Sequence, residues 1–350
     1  MANDLSLPVA TLTRFAASLL AAAGLPEAAA QTAAAALVDA DREGIPSHGL
    51  MLLPMYIERM RAGSVSLATT AQLVSDNGSA VVLDAHDMLG QLSAQQAVDL
   101  LRLRAPKHGL AAVAVRNGFH FGTAGRWAQA LADAGLIGIA MSNTRPLMPA
   151  PGGAERVVGN NPLAIAVPVP EGAPLVLDMA LSATAMGKIR LADSAGKPIP
   201  EGWATDCDGR ATTDAATAIK GMLLPAAGPK GFGLAMMIDL FCGGLSSGAI
   251  ADAVRPLYGD AAQPYGCAHF FLAIDVAHFL PLPAFKAVSG AFAQRVRASR
   301  PAQGAGRLYT PGEPAWETSQ ARREHCPLAA DTVQKLRQTA ALLNVPGELA

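Results

Sequence analysis

Ser47-His48-Gly49 is the first segment whose residue types could do acid-base chemistry. Histidine has an ordinary pKa near neutrality, and a neighbouring serine hydroxyl can fix its tautomer or relay a proton. On a continuous helix, the four-residue spacing would place His48, Leu52 and Tyr56 on one face, although the interior Pro54 would bend that helix. The alternative is that Ser47 is only a helix N-cap and His48 a partner of local backbone groups.

A second candidate is the glycine-rich stretch from Asn117 to Gly125, which contains His120 and lies between a predicted strand and a predicted helix. Its glycines let backbone N–H groups approach an anion, and the predicted helix start at Thr123 adds a partial positive charge. We therefore expect a phosphate to bind at this turn. The alternative is structural, because a lone histidine in a glycine-rich turn is more often part of the fold than of a catalytic site.

Two more glycine-rich loops and one lysine extend the set of candidates. The loops are Gly159-Asn160-Asn161-Pro162 and the stretch from Gly228 to Gly233, which carries Lys230 at a predicted helix start. Three loops of this kind exceed what ordinary turns require. Lys188 lies among largely apolar neighbours on a predicted helix, although it could simply form a surface Lys-x-Arg pair with Arg190.

Several common binding and catalytic signatures are absent from the sequence. There is no G-x-G-x-x-G dinucleotide fingerprint, no G-x-x-x-x-G-K-[ST] phosphate loop and no H-E-x-x-H. The sequence therefore does not predict a Rossmann domain, a nucleotide hydrolase or a metalloprotease. His269 lies in a predicted apolar strand, and we assign it to structure.

The composition excludes further classes of protein. Formal net charge is only -1 and charged residues make up 16% of the 350, so the chain has no basic surface for nucleic acid or anionic lipid. The four cysteines form no C-x-x-C pair, which predicts reduced thiols and no metal site. The apolar run from Phe15 to Gly24 fits an amphipathic helix better than a signal peptide, so we expect a cytoplasmic protein.

The elements that must position these segments alternate in type. Residues 1–65 predict three helices, at about 8–23, at about 27–41 and ending at Gly63. Beyond them, predicted strands lie at 80–83, 110–115, 137–141, 163–169, 175–177 and 269–275, and predicted helices at about 93–105, 123–134, 182–193, 283–298 and 330–343. The Gly/Pro/Asp-rich stretch 195–214 is predicted to be a functional loop, and 301–314 an ordered turn region.

This alternation predicts an α/β or mixed α+β architecture, built as one large unit of two joined lobes. We divide the chain into a helical N-terminal segment at 1–65, a core at 66–305 and a C-terminal segment at 306–350 that packs back on the first lobe.

Taken together and in order, the motifs resemble the type-2 malate/L-lactate dehydrogenase family over about residues 8–345. The matching segments are Ser47-His48-Gly49 with Tyr56, His120-Phe121-Gly122, Gly159-Asn160-Asn161-Pro162-Leu163-Ala164, Leu177-Asp178-Met179-Ala180, Gly187-Lys188-Ile189, Pro229-Lys230-Gly231-Phe232-Gly233 and the strand His269–Asp275. The resemblance implies a homodimer with a non-Rossmann fold that binds NAD or NADP and interconverts small 2-hydroxy and 2-oxo acids. It implies no metal.

The resemblance also implies roles for individual residues. His48 would be the proton donor, supported by Ser47, with His120 as a second catalytic candidate beside the nicotinamide. The implied cofactor contacts are His120, Phe121, Gly122, Thr123, Ala124, Gly125, Asp178, Met179, Ala180 and Arg307. The implied substrate contacts are Leu52, Tyr56, Asn160, Lys188 and Lys230, and Lys188 is also a catalytic candidate.

Two positions distinguish this chain within the resemblance. A branch of the family that reduces cyclic imino acids carries an aspartate where this chain has Lys188, so Lys188 favours hydroxy-acid chemistry. The family usually carries an arginine at the position of Leu52, where it would bind the substrate carboxylate with paired hydrogen bonds. Either another cation such as Lys188 or Lys230 replaces it, or the substrate is apolar there, or the chain is a catalytically altered nicotinamide-binding protein.

Overall fold

A computed structural model describes residues 4–346 and 349. The α-helices in this part of the chain are α1 (Val9–Ala22), α2 (Glu27–Arg42), α3 (Leu53–Ala62), α4 (Gly90–His108), α5 (Ala124–Asp133), α6 (Met186–Ser194), α7 (Ala215–Lys220), α8 (Pro229–Asp239), α9 (Leu282–Arg297), α10 (Glu313–Ala321) and α11 (Ala330–Leu342). The strands are β1 (Leu5–Pro8), β2 (Gln72–Asp76), β3 (Ala80–Asp84), β4 (Leu110–Gly118), β5 (Leu136–Ser142), β6 (Met148–Pro149), β7 (Arg156–Val158), β8 (Leu163–Val167), β9 (Leu175–Met179), β10 (Ala204–Thr205), β11 (Ala211–Thr212), β12 (Met222–Leu223), β13 (Cys267–Asp275) and β14 (His325–Leu328).

A seven-stranded mixed sheet in the order β2-β3-β4-β13-β5-β8-β9 forms the centre of the molecule. Strands β3 and β4 are parallel, and the other neighbours are antiparallel. Parallel neighbours need a crossover of a dozen or more residues, which α4 supplies between them. The alternation of strands and helices in the sequence therefore predicted the mixed α/β class correctly.

Two hydrophobic cores cover the two faces of this sheet. Along β13, Phe271 belongs to the larger core with residues of α4 and α5, whereas the next side chain back, Phe270, packs against the smaller core with residues of α8. Successive side chains of a strand point to opposite faces, so β13 is covered on both sides. This explains why its sequence is an apolar run rather than a polar-apolar alternation.

The third helix of the N-terminal segment starts later than predicted. Two short 3-10 turns, Pro46–His48 and Leu50–Leu52, precede α3, and the extended backbone of Gly49 separates them. The predicted helical face through His48, Leu52 and Tyr56 is therefore wrong. Leu52 is 1% exposed and lies in the larger hydrophobic core.

The C-terminal segment lies against the N-terminal helices. Strand β14 pairs antiparallel with β1, and α11 contacts α3. The sequence did not predict β1, β14 or α10, and α10 begins inside the predicted turn region 301–314. The four cysteines are free thiols, and no helix of the described residues is long and apolar enough to cross a membrane.

Candidate active site

A buried carboxylate holds the loop that carries Ser47 and His48. Oδ2 of Asp41, at the end of α2, accepts a hydrogen bond from the backbone N–H of Leu50 at 2.7 Å. The loop packs so closely on this carboxylate that a Cβ at Gly49 would lie 2.4 Å from Asp41 Oδ1. Burial raises the pKa of Asp41 to about 7, against the lowering effects of the Leu50 hydrogen bond and Arg322. On this support, Ser47 Oγ lies 3.0 Å from His48 Nδ1.

The structure brings His120 next to His48. Their ring centroids are 5.3 Å apart, although one histidine follows α2 and the other follows β4. The Tyr56 hydroxyl lies 2.6 Å from Nδ1 of His120 and accepts a hydrogen bond from Gln91 Nε2 at 3.2 Å. His120 is therefore oriented by two side chains from two different helices, α3 and α4.

Burial favours the neutral form of both imidazoles, and it does so more strongly for His120 than for His48. Burial lowers the pKa of His48 below its ordinary value. The pKa of His120 is lowered much further, first by burial and then by the charges of His48 and His269. His269 lies behind the site, with Nδ1 3.0 Å from Ser142 Oγ and Nε2 3.1 Å from the carbonyl of Phe119. Burial lowers the pKa of His269 to about 3, so this histidine is a neutral structural group, as its apolar strand predicted.

Two of the predicted cofactor segments, 120–125 and 178–180, meet at the N-terminus of α5. The backbone N–H of Gly125 donates to Oδ2 of Asp178 at 2.8 Å, which joins the glycine-rich turn to the end of β9. A side chain at Gly125 would not fit, because its Cβ would lie 2.9 Å from that carboxylate oxygen. Gly122, with a positive φ of 88°, has open space beside it.

This arrangement fits a nicotinamide dinucleotide. The half-buried Gly122, which has open space beside it at a helix N-terminus, suits a phosphate, and the Asp178 carboxylate suits a ribose hydroxyl. Desolvation by the surrounding protein raises the pKa of Asp178. Phe121, Thr123 and Ala124 are buried and support the turn, while Met179 and Ala180, at the end of β9, are half-buried.

Arg307 lies on the C-terminal segment, near the other end of β9. The segment reaches β9 through a hydrogen bond from Val176 N to the carbonyl of Pro311. The Arg307 guanidinium is bound to Glu317 at 2.7 Å and to Glu313 at 2.6 Å, and it borders a cavity of about 660 Å³. Its positive charge is therefore already paired with carboxylates.

The predicted substrate residues divide into two groups. Tyr56 is buried beneath His120, and Asn160 is half-buried, with Oδ1 accepting from Thr144 Oγ1 at 3.0 Å. Lys188 and Lys230 are exposed near the starts of α6 and α8, and neither forms an ion pair within the described residues. Leu52 lies in the core and is not accessible in this chain.

Backbone contacts tie the two lysine-bearing helices to Asn160. Leu181 N donates to the carbonyl of Asn160 and Ala226 N to the carbonyl of Leu181, so the segments leading into α6 and α8 run side by side next to Asn160. Three residues that support or flank the site were not predicted, namely Asp41, Gln91 and Arg145. Asp41 and Gln91 act through hydrogen bonds that no local pattern predicts, and only Arg145, a cation three residues after the end of the buried strand β5, offered a local signal.

Comparison with known proteins supports the family resemblance that the motifs indicated. The family model described as malate/L-lactate dehydrogenase matches residues 7–337. The malate dehydrogenase of Pyrococcus horikoshii is 33% identical over 99% of this chain and 97% of that protein. The (2R)-3-sulfolactate dehydrogenase (NADP(+)) of Chromohalobacter salexigens is 39% identical over 75% of this chain and 79% of that protein.

Solved structures show the same fold. The sulfolactate dehydrogenase of Methanocaldococcus jannaschii superposes with a TM-score of 0.92 at 31% identity, covering 97% of this chain and 98% of that one. The delta1-piperideine-2-carboxylate reductase of Pseudomonas syringae superposes with a TM-score of 0.86 at 25% identity, covering 96% and 100%. The family resemblance and the non-Rossmann fold inferred from the motifs are thus confirmed, and the chain belongs to the malate/L-lactate dehydrogenase family.

Proposed function

We propose that the chain is an NAD(P)-dependent oxidoreductase that moves a hydride between a nicotinamide and C2 of a small 2-hydroxy or 2-oxo carboxylate. The observation that carries the proposal is the convergence of His48 and His120, with ring centroids 5.3 Å apart, on a turn that continues into the cofactor residues 121–125. The dehydrogenases named among the relatives act on malate or sulfolactate, both 2-hydroxy acids. The choice between NAD and NADP stays open.

The proton-transfer role belongs to His48 in this proposal. A group that exchanges a proton near neutral pH works best when its pKa is close to the working pH. The pKa of His48 is lowered less than that of His120, and His48 is only half-buried. Neutral His48 therefore accepts the substrate hydroxyl proton during oxidation and returns it during reduction, while Ser47 orients its Nδ1.

His120 is the second catalytic candidate and acts mainly by position. The Tyr56 hydroxyl can donate either to Nδ1 of His120, at 2.6 Å, or to its backbone carbonyl, at 3.4 Å. His120 can accordingly present either a proton or a lone pair at Nε2 to a substrate oxygen. A bound nicotinamide would supply or accept the hydride, which no side chain of the protein can do.

Three further features of the proposal concern the assembly, its place in the cell and the division of the chain. A run of exposed apolar side chains on α8 and the turn after it suits a homodimer, as the sequence resemblance implies. The cytoplasmic location stays a prediction from the N-terminal sequence. Residues 1–65, 66–305 and 306–350 remain our proposed division of the chain.

The experiment is a nicotinamide-absorbance screen of hydroxy acids, oxo acids and cyclic imines with NAD(H) and NADP(H). We expect turnover of a 2-hydroxy or 2-oxo acid, and His48→Ala should reduce that turnover about 100- to 10,000-fold while cofactor binding persists. His325→Ala, at an exposed histidine on β14, is the matched control and should keep wild-type rates. Normal turnover by His48→Ala would remove His48 from the reaction.

A cyclic imino acid reductase is the second candidate function. It is favoured by the superposition on the piperideine-carboxylate reductase, and Lys188 argues against it, since that branch has an aspartate there. Faster turnover of cyclic imines than of every linear acid in the same screen would establish it. Tight nicotinamide binding without turnover of any compound would instead indicate a catalytically altered binding protein.

A further inference from the structure

Arg145 is a half-buried cation that has no side-chain partner among the described residues, in a chain that lacks the expected carboxylate-binding arginine at position 52. Position 52 holds a leucine that lies in the core. Within the described part of the chain, the guanidinium of Arg145 makes no hydrogen bond and no ion pair. Arg59, which is fully buried, differs from Arg145 in that its guanidinium is saturated with partners. It donates to Ser64 Oγ and to the carbonyls of Pro256, Leu257 and Gln263.

The position of Arg145 in the fold is beside the candidate active site. It follows Thr144, whose N–H donates to Asn161 Oδ1 at 2.9 Å and whose hydroxyl donates to Asn160 Oδ1 at 3.0 Å. Asn160 is one of the predicted substrate contacts. Arg145 is therefore linked to Asn160 through its neighbour Thr144 and the hydrogen bond that Thr144 donates.

A second chain of contacts leads from Arg145 to the histidines. Asn143, two residues before it, exchanges hydrogen bonds with Ala268 at the start of β13. Tyr265, just before this strand, packs edge-on against Phe119 at 6.0 Å between ring centroids, and Phe119 precedes His120. The Arg145 charge acts on the Tyr265 hydroxyl, whose pKa it lowers against the dominant effect of burial.

The groups around Arg145 do not neutralise its positive charge. Its pKa is lowered first by burial and then by the like charges of Arg156 and Arg190, and the one group that opposes them is the phenol of Tyr265. Among the described residues, none of the groups that shift the pKa of Arg145 is a carboxylate. A guanidinium stays protonated under such conditions, so Arg145 carries an unpaired, partly desolvated positive charge.

We propose that Arg145 binds the carboxylate of the substrate and so replaces the arginine that position 52 lacks. The inference rests on the proposed function, because it names how that same site holds its acid. A planar guanidinium can hold a carboxylate with two parallel hydrogen bonds, which fixes the orientation of C2 as well as supplying affinity. Lys188 and Lys230 are exposed and single-point donors, so they do not supply this geometry.

The test compares Arg145→Gln and Arg145→Lys with the wild type on the best acid substrate and on its neutral amide. For the acid, kcat/KM should fall about 100-fold or more in Arg145→Gln, mainly through KM, and by less in Arg145→Lys. For the amide, wild type and Arg145→Gln should agree within about threefold, since no carboxylate is present. Nicotinamide binding, followed by fluorescence, should be unchanged. Arg61→Gln, at an exposed arginine on α3, is the matched control.

A binding measurement separates failure of this inference from failure of the proposed function. Oxamate, an unreactive 2-oxo acid analogue, is titrated into the cofactor-loaded protein, and its affinity should fall by the same factor in Arg145→Gln. Equal losses on acid and amide, or wild-type values for both in Arg145→Gln, would overturn the role of Arg145 alone. A wild type that neither turns over an acid nor binds oxamate would overturn both proposals.

Discussion

His48 and His120 are near neighbours with different capacities to carry a proton. His48 is half-buried and its pKa is lowered by burial alone, whereas the pKa of His120 is lowered further by electrostatic coupling to the titration of His48 and His269. Protonating both rings at a centroid distance of 5.3 Å would place two positive charges side by side. The proposed mechanism therefore has one of the two exchange the proton while the other remains neutral and orients the substrate.

The pH dependence of the reaction follows from the direction of the His48 shift. The pKa of His48 in the folded protein lies below its ordinary value of 6.5. The fraction of neutral His48, the form that accepts a proton, therefore rises as pH increases through this lowered pKa. Above it, nearly all His48 is neutral. The kcat/KM for hydroxy-acid oxidation should therefore rise with pH below about 6.5 and level off above it, and oxo-acid reduction should show the opposite trend. Steady-state profiles of wild type and His48→Gln check this. The inflection should vanish in the variant, and a wild-type inflection above 6.5 would contradict the assignment.

The elements around the site act mainly by holding short loops against buried groups. The Ser47 to Leu50 loop rests on Asp41, and the start of α4 presses on the turn that carries His120, where a Cβ at Gly90 would lie 2.0 Å from the carbonyl of Phe119. Neither loop contains an α-helix or a strand that could position it alone. Its geometry depends on packing against α2 and α4.

Gly49→Ala tests this dependence. The new methyl group would lie 2.4 Å from the Asp41 carboxylate, which is 2% exposed and cannot rotate away without losing the Leu50 hydrogen bond. We expect a loss of about 2 kcal/mol in the free energy of unfolding, measured by urea denaturation, together with lower turnover. Gly306→Ala, at an exposed glycine with open space around it, should change stability by less than about 0.5 kcal/mol. Wild-type stability in Gly49→Ala would show that the loop moves freely.

The same elements show what sequence patterns can and cannot predict. Long periodic segments such as α4 and apolar runs such as β13 were identified, because their patterns extend over several turns or residues. Strands of two residues, such as β10 and β11 in the predicted loop, have too few residues for any period. The predicted helical face through Leu52 was wrong because Gly49 adopts an extended backbone. Close packing of Gly49 on Asp41 accompanies this conformation, and local helix propensity does not predict it.

At the scale of the whole molecule, the order of strands brings the site together. Strand β13 lies between β4 and β5, although it follows them by more than a hundred residues, and it delivers His269 behind His120. Motif resemblance predicted that the His48 and His120 segments meet. No local pattern predicts the pairing of β13, since strand order depends on contacts across the whole chain. The same holds for the position of Arg145.

The surface of the molecule carries an apolar run on α8 and the turn that follows it. The exposed side chains are Leu234, Met236, Met237, Leu240, Phe241 and Leu245, each between 39% and 57% exposed. Continuous apolar surface of this kind usually marks an interface, because leaving it in water costs about 25 cal/mol for each Å². Since α8 begins at the loop that carries Lys230, an interface here would adjoin the proposed substrate site.

We therefore expect a homodimer with twice the 35.8 kDa mass of one chain, measured by sedimentation at micromolar concentration. Leu240→Asp should shift the mass to that of one chain, because an unpaired carboxylate buried in an apolar contact costs several kcal/mol. Leu103→Asp, at a 66% exposed leucine on α4, places the same charge away from α8 and should leave the dimer intact. A wild type of single-chain mass would rule out the dimer, and a dimer that survives Leu240→Asp would place its interface elsewhere. Dissociation with retained turnover would further show that one chain holds every residue the reaction needs.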